Sequence, residues 1–153
     1  MLLLLADAFR LAASDGAEAP SAAASRAGEG LGHSLAPKVG ATNTAAGAMD
    51  AVARVFDSIG FPVERRRAGR AYELRMRPCP FGAAIDANQN VLCPLHLGLA
   101  RGVLAALDAP LEAATLDAFV RPDLCILRLE RRQAPDPVDE GGSLAASAPT
   151  LPS

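Results

Sequence analysis

The stretch FPVERRRAGRAYELRMRPCPFGAAIDANQNVLCPLHLGLARGVLAAL, residues 61–107, decides how this chain is to be read. Its first part has the period of a half-buried strand, with Tyr72, Leu74 and Met76 alternating with Glu73, Arg75 and Arg77. Ala68 and Gly69 supply the turn of a β-hairpin over residues 61–79. A loop or short helical turn follows Cys79, and a helix is expected from Pro94 to Leu107, with proline at its first position and Cys93 as N-cap. A strand pair followed by a helix, rather than a helix between every pair of strands, points to an α+β domain.

Outward from that stretch, DLCILRLERR (123–132) is a strong strand candidate and LEAATLDAFV (111–120) a weaker one. Upstream, Met49, Val52, Phe56 and Ile59 recur at helical spacing, with Thr44 placed as N-cap and Gly60 where a C-terminal glycine belongs. Residues 1–14 and 20–36 read as two further helices. The second of these, PSAAASRAGEGLGHSLA, holds three glycines. Its intrinsic stability is therefore poor, and it needs a partner surface, for which a second copy of the chain is a candidate. The expected architecture is N-terminal helices followed by an antiparallel sheet with one inserted helix. The division is residues 1–40 as linker and dimerisation helices, 41–132 as an α+β domain, and 133–153, rich in proline, glycine and serine, as a disordered tail.

The 153 residues suffice for one domain with an adequate core. A formal net charge of −2 leaves no cation excess to hold nucleic acid phosphates. The arginines at 65, 66, 67, 70, 75 and 77 are expected to form the solvated face of the hairpin. The opening MLLLLADAFR is broken by Asp7 and Arg10 and has no basic start, unlike a secretory signal with its apolar run of roughly 7–15 residues. Nothing later approaches the about 20 apolar residues that span a bilayer. A cytoplasmic protein with no membrane partner is expected, and in that compartment cysteines serve as thiols or ligands.

The chemistry is concentrated in Cys79, Cys93, His96 and Cys125. Cys79 follows a strand, Cys93 precedes a helix, and Cys125 shares a strand face with Leu127 and Leu129. A helix N-terminus stabilises a thiolate, and soft sulfur ligands suit an iron–sulfur cluster, zinc or cuprous ion. His96, three residues beyond Cys93, adds a nitrogen to the candidate set. The alternative is that the thiols are buried core residues, since cysteine packs as a small hydrophobe. Cys93 and His96 also form a nucleophile–base pair on paper, but no third residue is evident to orient the histidine, and no enzyme is expected. His33 is read as solvent-facing.

The segments GFPVE, LRMRPCPF, LCPLHLGLARGVLAAL and DLCILRL together resemble the C-terminal half of ArsR-like winged-helix transcriptional regulators, a class that includes repressors of Suf iron–sulfur assembly operons. The resemblance runs from about Leu2 to Leu129. It implies that Cys79, Cys93 and Cys125 hold an iron–sulfur cluster, with zinc as the alternative. It also implies a homodimer that senses through this domain. Members of that class begin with a winged helix-turn-helix that enters DNA. Here the first residues already have the character of the linker helix after it, so DNA contact is expected only through a winged helix missing from this chain. The competing expectation is a small-ligand module with structural cysteines and a pocket between helix and sheet.

Overall fold

The computed structural model describes residues 19–77 and 84–133. The elements are α1 (Pro20–Leu35), a 3₁₀ turn (Ala36–Lys38), α2 (Ala45–Ser58), β1 (Val63–Ala68), β2 (Ala71–Met76), α3 (Ala84–Ala106), β3 (Leu111–Arg121) and β4 (Leu124–Arg131). The four strands form one antiparallel sheet in the order β1-β2-β4-β3, with α3 inserted between β2 and β3 in sequence. This is the α+β architecture expected. Residues 1–14, Cys79 and most of the tail lie outside the described residues.

Local chemistry sets the element ends. The Thr44 side chain accepts the Gly47 N–H at 3.0 Å, fixing the start of α2. At the other end Gly60, with φ +98°, turns the chain so that Phe61 N–H reaches the Phe56 carbonyl at 3.0 Å and Gly60 N–H reaches that of Asp57 at 3.1 Å. Helix α3 stops in the same way, except that Asp108 takes the left-handed conformation (φ +46°) that glycine usually supplies. The β1–β2 register pairs Ala68 with Ala71, so the turn is Gly69-Arg70 rather than Ala68-Gly69.

Helices α2 and α3 cover a single face of the sheet, and α1 packs on α3. Tyr72, Leu74 and Met76 of β2 stand opposite Leu129, Leu127 and Cys125 of β4. They pack under Val52, Val55 and Phe56 of α2 and Leu99, Val103 and Leu104 of α3. On the other face, Arg128 bridges Glu73 and Asp117. The hairpin arginines are exposed or half-buried, and several are ion-paired: Arg65 with Asp50 at 2.7 Å, Arg66 with Glu64 at 2.6 Å. The expected single solvated face is not formed: Arg65 and Arg67 stand opposite Leu74 and Tyr72 on the helix side of the edge strand, and Arg66 and Arg75 lie on the other side. The ion pairs leave less free positive charge than a run of arginines suggests. At the opposite edge, Arg101 of α3 donates to the Ala113 and Ala114 carbonyls where β3 bulges.

The glycines of α1 find their partner within the chain. A Cβ on Gly28 would stand 2.1 Å from the Leu95 carbonyl oxygen, and one on Gly32 would stand 2.3 Å from that of Leu99. From α3, Gly98 and Gly102 press equally closely on the Ser25 and Glu29 carbonyls. Contacts advance together along both helices, so α1 and α3 run parallel, backbone against backbone. The surface for which a second copy was the candidate partner is occupied by α3. Gly30 faces open space, and His33 is exposed as expected.

Candidate functional site

Helix α3 begins ten residues before the expected Pro94 start, at Ala84. Its backbone breaks once, at Asn88 (φ −130°, ψ 16°), and then runs through Cys93 and Pro94. Proline at 94 has no N–H to donate to the Asn90 carbonyl, and Asn90 is exposed, where such a loss costs least. Cys93 is therefore not an N-cap. It sits within the helix, half-buried, beyond the first turn that follows the break at Asn88.

His96 lies one turn on and is buried. Its ring meets Phe61 edge-to-face at 4.8 Å between centroids and Phe56 at 6.1 Å. Burial pushes its pKa down to about 4, because the imidazolium would lose its hydration. The imidazole is neutral at physiological pH. That is the form able to ligate a metal.

Cys125 is buried on β4, on the face covered by the helices. Its Sγ accepts the Phe119 N–H at 3.4 Å. Phe119 has φ +52°, in a region that a side chain bearing a Cβ rarely adopts, and it lies where three residues of β3 face a single residue of β4. The ring packs against the main core and also against a second cluster formed by Ala24 of α1 and Leu92 and Leu95 of α3. Cys93 adjoins Leu92 in sequence. Leu92 and Leu95 of α3 and Cys125 of β4 thus meet the same aromatic residue.

Phe119 had not been singled out from sequence. The available signal was the adjacent pair Phe119-Val120, which breaks strand alternation and is what a bulge produces. Among the described residues no three His, Cys, Asp or Glu side chains converge closely enough to hold a metal ion. Cys79, the third expected sulfur donor, lies outside them. A cavity of about 420 Å³ opens elsewhere, between α3 and β3, lined by Arg101, Leu104, Leu111, Glu112 and Arg132. No helix of the described residues is long and apolar enough to cross a membrane. Comparison of the sequence with known protein families and with curated proteins gives no match.

Proposed function

We propose that this chain is the sensing and dimerisation portion of a cytoplasmic transcriptional regulator, binding an iron–sulfur cluster or zinc through Cys79, Cys93 and Cys125. The observation that carries the reading is the seating of α3 on the sheet face toward which Cys125 points. The Phe119 N–H at the Cys125 sulfur is the kind of hydrogen bond that stabilises a ligating sulfur. His96 is the candidate nitrogen donor, and its neutral state suits that role.

A bound group would supply cross-links between elements that packing alone holds together. Its loss would free α3 to shift on the sheet. Because α1 is locked onto α3, that shift would reach the N-terminal part of the chain and, through it, a DNA-binding winged helix and a partner copy. Anaerobic purification followed by absorption spectroscopy and metal analysis tests this. Visible absorbance or stoichiometric zinc that disappears in the Cys→Ala variants is the expected result. A colourless, metal-free protein whose stability is unchanged when all three cysteines become alanine overturns it.

The cavity between α3 and β3 favours a second reading, a module for a small ligand with the cysteines as packing. Arg101 and Arg132 outnumber Glu112 in its lining, which directs that reading to anionic molecules. A thermal-shift screen of small carboxylates, with Arg101→Ala as control, distinguishes the two.

A further inference from the structure

We propose that Phe119 is a two-position reporter of the state of the Cys125 sulfur. Strand alternation around it is fixed on both sides. Asp117 and Arg121 stand opposite Ile126 and Leu124, on the sheet face away from the helices. Regular alternation between them would turn Phe119 to that same outer face and Val120 toward the helices. The reverse is found: Phe119 packs against both apolar clusters, and Val120 is 46 % exposed. The inversion depends on the left-handed conformation at Phe119, which its Cβ disfavours.

The Phe119 N–H to Cys125 Sγ contact offsets that strain. Whatever withdraws that sulfur from the Phe119 amide removes this compensation. With the acceptor withdrawn, the relaxed arrangement places Val120 inward and Phe119 outward, and the ring leaves Ala24, Leu92 and Leu95. Those residues join the first turns of α1 to α3, so the state of Cys125 sets how firmly the two helices are held at that end. The two arrangements differ by an exchange of neighbouring side chains, which makes the element bistable rather than gradually deformable.

The inference rests on the sensing role of Cys125 for its biological meaning, but its test does not. Amide hydrogen exchange is measured by NMR on the full chain, reduced and with chelator present, so that no metal contributes. Cys125→Ala is expected to speed exchange of the Phe119 amide about tenfold, and to raise exchange around residues 24 and 92–95 several-fold, with β1 and β2 unchanged. Phe119→Gly adopts the left-handed conformation without strain and has no ring. It should keep its own amide protected while loosening the same residues of α1 and α3. An unchanged Phe119 amide in Cys125→Ala, or a uniform rise across all core amides, overturns the proposal. Should that variant not fold, the Phe119→Gly exchange map decides: loosening confined to residues 24 and 92–95 supports the proposal, and no change there overturns it.

Discussion

Gly98 of α3 lies so close to Ser25 of α1 that a Cβ on the glycine would stand 2.0 Å from the serine carbonyl oxygen. The opposing atoms are backbone, so neither side can rotate away. Gly98→Ala is therefore expected to destabilise the protein by about 1–3 kcal/mol, the range of forced overpacking in a core. Gly28→Ala should behave alike. Gly30→Ala on the same helix meets nothing within 4 Å and should stabilise by about 0.5–1 kcal/mol through helix propensity. Urea denaturation of the three variants checks both signs, and equal effects at all three positions would refute the close helix contact.

Burial of His96 makes stability depend on pH. Its folded pKa, about 4, lies below the ordinary 6.5, so between these values the unfolded chain binds the extra proton. Stability is complete above about pH 6.5 and falls as pH drops toward 4. The contribution of this one group is on the order of 3 kcal/mol over that window. Thermal melts from pH 7 to 4 should show this slope, and His96→Phe should flatten it.

Thr44 supplies the oxygen that accepts the Gly47 N–H. Thr44→Ala is expected to cost about 1 kcal/mol, and Thr44→Ser almost nothing, because serine keeps the acceptor. Equal melting temperatures for the alanine and serine variants would show that the cap contributes no stability.

Arg65 pairs with Asp50 across two side chains that are 35 % and 47 % exposed. Exposed pairs of this kind contribute little, so Asp50→Asn should change stability by less than about 1 kcal/mol, and added salt should erase even that. A larger effect measured by chemical denaturation would mean that the hairpin arginines do more than keep an edge strand charged.

The parts of this fold that depend on local periodicity could be read directly from the residues. The alternation from Tyr72 to Met76, the helical stripe from Met49 to Phe56 and the Thr44 cap each involve neighbours within a few positions, and each stands as expected. The start of α3 was misplaced because Pro94 looks like a first-turn proline, whereas the helix runs through it at a position where the residue left without its hydrogen bond, Asn90, is exposed. The partner of the α1 glycines was not legible either. Gly28 and Gly32 announce a close approach, but only the three-dimensional path shows that Gly98 and Gly102 meet them from the same chain. The Cys125–Phe119 contact depends on a strained backbone angle, and side-chain patterns carry little information about such angles.

The parallel course of α1 and α3 has a mechanical corollary. Helices that touch through glycine over two turns cannot slide past each other, because each carbonyl is seated where a methyl group would not fit. They can only rotate or tilt together, as one girder. Whatever displaces the end of α3 that bears Cys93 would therefore swing Pro20 in the same direction, by an amount set by leverage rather than by softness of the joint.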